Sequence, residues 1–96
     1  TMTAAAIEAF LEMMRAERNA SANTVAAYTR DLDDLSAWCK AQKTSLMKVK
    51  KPGLEAYAAS LHALGLSAAT VARRLSGARQ FFQFLYAEQM RPDNPA

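Results

Sequence analysis

Ser21-Ala-Asn-Thr-Val-Ala-Ala-Tyr-Thr-Arg-Asp-Leu32 reads as the start of a helix. Ser21 supplies a side-chain oxygen that accepts from backbone N–H groups two or three residues on. Val25, Tyr28, Leu32, Leu35 and Cys39 then recur at helical spacing. A second stretch, Ser67-Ala-Ala-Thr-Val-Ala-Arg-Arg-Leu75, follows the same plan: serine, threonine three residues later, then valine and arginine. The shared stretch is too short to be an internal repeat. It does fix the starts of two helices, from which the rest of the chain can be placed.

The first of four predicted helices runs from about Ala4 to Arg18, with Ile7, Phe10, Leu11 and Met14 on one face. Asn19-Ala20 breaks its pattern. The second starts near Ser21 or Asn23 and ends near Ala41; Trp38 widens its stripe, and Asn23, Ala26, Ala27 and Arg30 lie on the other side. A connection from Gln42 to Lys51 follows, with Leu46, Met47 and Val49 placed to tuck into a core. The third helix opens at Pro52, which suits a first turn because it lacks an N–H that would go unpaired there. Leu54, Tyr57, Ala58, Leu61 and Leu64 form its predicted buried face, and Gly65 ends it. The fourth helix spans Ser67 to about Glu88 on a stripe of Val71, Leu75, Ala78, Phe82 and Leu85. Phe81, Phe84 and Tyr86 make its second half apolar nearly all round, as in a central helix or one that meets a partner surface. Thr70, Arg73, Gly77 and Gln80 project opposite the stripe. Pro92 and Pro95 forbid continued helix. The expectation is an all-α compact bundle of four main helices, with residues 1–90 forming the domain and 91–96 starting a linker. Thr1-Met2-Thr3 reads as a frayed or appended start.

With 96 residues, 51% of them hydrophobic, and only three glycines and three prolines, the chain suits one small domain. The net charge of +3 permits a polyanionic partner without requiring one. The single cysteine, Cys39, cannot form an internal disulfide, which fits a reducing cytosol. It sits on an apolar stripe beside Trp38, as a buried structural thiol does. No apolar run approaches the roughly 20 residues that span a bilayer, and no signal peptide is visible. A cytoplasmic protein without membrane contact is expected.

Catalytic chemistry finds no constellation here. One cysteine and His62 provide no metal-ligand spacing. Gly53, Gly65 and Gly77 are isolated, so no phosphate loop forms. Asp31, Asp33 and Asp34 diverge around their helix, as residues that are solvated or ion-paired do. No metal, cofactor or catalytic residue is assigned.

Chemistry suited to nucleic acid is present. Helix N-termini at Ser21 and Ser67 offer unpaired N–H groups and a positive dipole end. Arginine forks match phosphate oxygens and guanine edges. Small residues at Ala26, Ala27, Ala68, Ala69 and Gly77 permit close approach. The same cations also read as solvated helix faces, and the alanines as good helix formers.

A family resemblance adds to this reading. Ile7-Glu-Ala-Phe-Leu11, Glu17-Arg-Asn-Ala-Ser21, Asn23-Thr-Val-Ala-Ala-Tyr28 and Arg30-Asp-Leu32 come first. Gly65-Leu-Ser67, Thr70-Val-Ala-Arg-Arg-Leu-Ser76, Arg79-Gln-Phe-Phe-Gln-Phe-Leu-Tyr86 and Asn94-Pro95 follow in order. Together they resemble the N-terminal core-binding domain of tyrosine site-specific recombinases, the phage-integrase group. The resemblance implies a SAM-like helical domain forming half of a clamp on double-stranded DNA. It implies related recombinase subunits in a tetrameric synapse, and a catalytic tyrosine in a separate domain outside this chain. Tyr28, Tyr57 and Tyr86 do not match that nucleophile. The full protein would exchange strands through a 3′-phosphotyrosyl link without a nucleotide cofactor, and some members resolve chromosome dimers near cell division. The DNA-facing candidates it implies are Ser21, Asn23, Thr24, Ala27, Arg30, Ser67, Ala69, Thr70, Arg73, Arg74 and Gly77. Arg74 lies closer to the apolar stripe, where Asp31 is an alternative partner. Ala27 and Ala69 offer only apolar contact, so mostly phosphate contacts are expected. Two other readings remain from the residues alone. One is a protein-interaction module docking through Phe81, Phe84 and Met90. The other is a helix-turn-helix regulator turning at Gly65-Leu66-Ser67, against which the length and apolarity of the fourth helix count.

Overall fold

Helix α1 (Met2–Arg18), α2 (Ala22–Ala41), α3 (Lys51–Ala63) and α4 (Ala68–Ala87) make up the computed structural model, which describes residues 2–96. No strand occurs among the described residues. The four-helix, all-α expectation therefore holds. Helix α1 already includes Met2 and Thr3, where a frayed start was expected; Thr1 lies outside the described residues. Helix α3 begins one residue before Pro52.

The two serine caps form as the sequence dictates. Ser21 Oγ accepts the Thr24 N–H at 3.1 Å and donates to Thr24 Oγ1 at 3.0 Å. Ser67 makes the same pair with Thr70, at 3.1 and 3.0 Å. Both serines have extended backbone, as N-caps do.

Helix α3 ends in a Schellman motif. Gly65, at φ 89°, donates to the His62 carbonyl, and Leu66 donates to Leu61. The same hydrogen-bond pattern closes α2 at Lys43 and α4 at Gln89, both with positive φ. The motif corrects one core assignment: Leu64 is 76% exposed. It occupies the C-cap position, where the chain is already leaving the helix, and Leu66 packs against the core instead.

Phe10 of α1 is the centre of the core. Its ring meets Tyr28 of α2 at 5.7 Å, and Phe81 and Phe84 of α4 at 5.5 and 5.7 Å, all edge-on. Phe81, Phe82, Leu32, Leu35, Leu46, Leu85 and Cys39 are fully buried around it. Leu46 and Val49 tuck in from the α2–α3 connection as expected, while Met47 is half-buried. Phe81 therefore belongs to the interior and cannot form the exposed docking surface suggested above. Phe84 is half-buried; Tyr86 and Met90 are exposed.

Arg91 is buried to 3% exposure just beyond α4. Its guanidinium donates to the Leu46 and Val49 carbonyls and, at 2.7 Å, to Asp93. It also lies 5.3 Å from the centre of the Phe82 ring. Pro95 is buried beside α3 and α4. Residues 91–95 thus fold back onto the bundle.

Two stability predictions follow from this packing. Ser21→Ala and Ser67→Ala should each cost about 1 kcal/mol, measured as a lower urea midpoint at unchanged denaturant slope. Arg91→Met should cost more, about 2–4 kcal/mol, because two interior carbonyls lose their donor. Equal urea midpoints for wild type and R91M would overturn that account.

Candidate nucleic-acid interface

Helices α2 and α4 cross so that Tyr28 lies against Gly77, Asp31 against Arg73 and Asp34 against Arg74.

Gly77 sets how closely the helices approach. A Cβ built there would lie 3.1 Å from Tyr28 Cε1 and 3.3 Å from Cδ1. Glycine within a helix costs about 1 kcal/mol relative to alanine; here it lets α4 settle against the Tyr28 ring. Gly77 was expected to face outward, yet it is buried beneath that ring. Above the contact a concavity of about 330 Å³ opens between the helices. Thr24, Ala27 and Asp31 of α2 line it, with Arg73, Ser76 and Gly77 of α4.

Four of the sequence-derived candidates, Thr24, Ala27, Arg73 and Gly77, thus share one groove. Ser21 and Ser67 cap its two helices, and Thr70 completes the α4 cap. Asn23 and Ala69 are exposed in the first turns. Arg30 lines a different concavity, beside Arg15 and between α1 and α2. Arg74 is half-buried and turned toward carboxylates.

An ionic network underlies the groove. Arg73 Nη1 donates to Asp31 Oδ2 at 2.5 Å, and Arg74 Nη1 to Asp34 Oδ2 at 2.7 Å. The Asp31 carboxylate also lies 3.8 Å from Arg74 Nε, which has no hydrogen-bond partner. Tyr57 of α3 donates its hydroxyl to Asp34 at 3.1 Å. Asp31 thus takes Arg73 as its close partner, and Arg74 favours Asp34. Asp31 itself is only 9% exposed. Its role in the groove was not anticipated. The available signal was a pair of carboxylates at i and i+3 on α2, matched by adjacent arginines on α4.

Burial pushes the Tyr57 hydroxyl up to about 12, with the Asp34 carboxylate adding and Arg74 opposing. Arg74 is raised above its ordinary value, first by the Tyr57 oxygen and then by the two carboxylates, against the effect of burial. Burial also raises the Cys39 thiol, while the positive charge of Arg91 opposes it. Among the described residues, no group of three or more His, Cys, Asp or Glu side chains is placed to hold a metal ion. No helix among the described residues is long and apolar enough to cross a membrane.

Comparison with known proteins fits this architecture. Residues 7–89 match the family described as phage integrase, N-terminal SAM-like domain, and the chain belongs to that family. Its relatives include proteins named tyrosine recombinase XerD. That of Rhizobium meliloti is 48% identical over 94 residues, covering 98% of this chain and 30% of the relative. That of Agrobacterium fabrum is 48% identical over 91 residues, covering 95% and 28%. The Caulobacter vibrioides protein is 44% identical over 89 residues, covering 93% and 29%. The chain therefore spans somewhat under a third of the length of these relatives.

The unfolded chain loses the Tyr57 proton near its ordinary 10, and the folded chain near 12. The folded state then holds more protons between those values. Its associated stability is full below pH 10 and disappears as pH rises through 12. Tyr57→Phe should remove the latest phase of phenolate absorbance in an alkaline titration. An unchanged late phase in Y57F would contradict the placement of that hydroxyl.

Proposed function

We propose that this chain is the duplex-DNA-binding N-terminal domain of a XerD-like tyrosine recombinase, forming half of a clamp on a recombination site. The observation that carries this reading is the α2–α4 groove. It joins a half-exposed arginine to small residues on two helices that each open with a serine cap. The ends of two helices, with their unpaired N–H groups and positive dipoles, suit phosphates.

Ser21, Thr24, Thr70 and Arg73 would make the principal backbone contacts, joined by Asn23, Ser67 and Ala69 in the first turns. Ala27 would admit the duplex closely, Gly77 would hold α4 against α2 beneath it, and Arg30 would reach phosphate at the flank beside Arg15. Arg74 serves chiefly to join α4 to α2. Residues 1–90 would form the body of this domain, with 91–95 folded back onto it before the chain leads toward the catalytic domain. In the full protein, the catalytic domain would supply the nucleophilic tyrosine, and related subunits would complete a tetrameric synapse in the bacterial cytoplasm. The reaction would exchange strands through a 3′-phosphotyrosyl link without a nucleotide cofactor. Chromosome-dimer resolution is the proposed setting.

A second reading, a protein-interaction surface, has one observation of its own. Met13 and Phe84 line an open concavity of about 870 Å³ between α1 and α4. It is compatible with DNA binding through the other face.

Titration of a duplex carrying a recombinase core site, beside a scrambled duplex, tests the proposal across salt concentrations. Affinity should fall linearly with salt on logarithmic axes. Arg73→Gln should weaken binding to both duplexes alike and reduce the salt slope by about one unit. Wild-type protein that fails to bind either duplex at low salt would refute DNA binding by this chain.

A further inference from the structure

We infer that Asp31 is a positioning residue for DNA, acting through Arg73; this rests on the groove being the DNA-contacting surface. A carboxylate on the wall of an anion-binding groove looks misplaced, because a bare negative charge would repel phosphate. Asp31 is not bare. It is 9% exposed, and Arg73 Nη1 covers one of its oxygens at 2.5 Å. Arg74 Nε lies 3.8 Å from the other.

The Arg73 side chain stays 55% exposed. A guanidinium carries five N–H donors in a rigid fork, and Asp31 accepts from Nη1 alone. Arg73 makes no other hydrogen bond or ion pair among the described residues. The remaining donors are therefore available to phosphate oxygens. Without Asp31 the long side chain would sample many rotamers, and ordering it on DNA would cost entropy at the moment of binding. With Asp31 that ordering is already made in the free protein.

The surroundings support a fixed role. Ala27 and Gly77, which share the groove wall with Arg73, have no side chain long enough to compete for its guanidinium. Asp34, the other carboxylate of the network, is occupied by Arg74 and Tyr57. Asp31 is thus the one acid that holds Arg73.

A double-mutant cycle on duplex binding tests the idea with wild type, Asp31→Ala, Arg73→Gln and the combined variant, beside Asp31→Asn. Asp31→Ala should weaken binding about tenfold, within the coupling range of residues in one ion-pair network, although it makes the protein more positive. In the Arg73→Gln background the same change should weaken nothing. Asp31→Asn keeps an acceptor oxygen and should recover most of the loss. If Asp31→Ala strengthens binding equally with and without Arg73, the carboxylate only repels DNA and the inference falls. An equal weakening in both backgrounds also overturns it, by showing that Asp31 acts on the fold, which thermal unfolding of the same variants would register. A wild-type arm without binding would instead remove the DNA reading itself, and this inference with it.

Discussion

The Phe10 ring is the constraint on which the other features of this domain depend. It touches α2 through Tyr28 and α4 through Phe81 and Phe84, so three helices are referenced to one side chain. Burying an aromatic of this size contributes roughly 1.5–3 kcal/mol, and each edge-on pair adds about 0.5–1.5 kcal/mol. The geometric consequence matters more than the total. Phe10 holds Tyr28 in the position where its ring edge meets Gly77. That contact brings α2 and α4 together, and their approach creates the groove. A change at the centre of the core would therefore be felt at the surface, through a single intervening ring.

The charges follow three different fates that net charge conceals. Arg91 is interior and is satisfied by two carbonyls and a carboxylate. Arg74 is half-buried between two carboxylates and a phenol, where its charge joins α4 to α2 and α3. Arg73 uses one nitrogen internally and keeps the rest outward. These arginines are similar in sequence but differ in what they can offer a ligand. A count of twelve cations against nine acids overstates the charge that is free to meet a polyanion.

Much of this was legible in the sequence, and the exceptions share a cause. The serine caps, the Gly65 terminus and the apolar stripes depend on residues within one or two turns, and local chemistry defines them. Helical period extends the α3 stripe to Leu64, past the point where the Schellman turn redirects the chain. An all-round apolar helix does not reveal which side its neighbours cover, so the sequence alone leaves Phe81 open to a docking surface that its burial rules out. Gly77 looked outward for the same reason; only the arrival of the Tyr28 ring from another helix buries it. The interior position of Arg91 depends on carbonyls more than forty residues away. The pairing of Asp31 with Arg73 likewise joins residues 42 apart, which periodicity within either helix cannot supply.

The distribution of charge also bears on how such a domain would divide work with the rest of a recombinase. On the proposed reading, Arg73 and Arg30 are the outward candidate cations, while the cap hydroxyls and helix N-termini contribute dipoles. Counterion release then involves only a few phosphates, fewer than the six to ten of a protein whose binding collapses between low and moderate salt. Affinity from so few contacts is modest. A preset arginine and two fixed helix ends, however, define orientation well, because each has one direction in which it can approach a phosphate. On that reading the domain would be better suited to setting the register of a duplex than to holding it, and a second domain across the duplex would supply the remaining affinity.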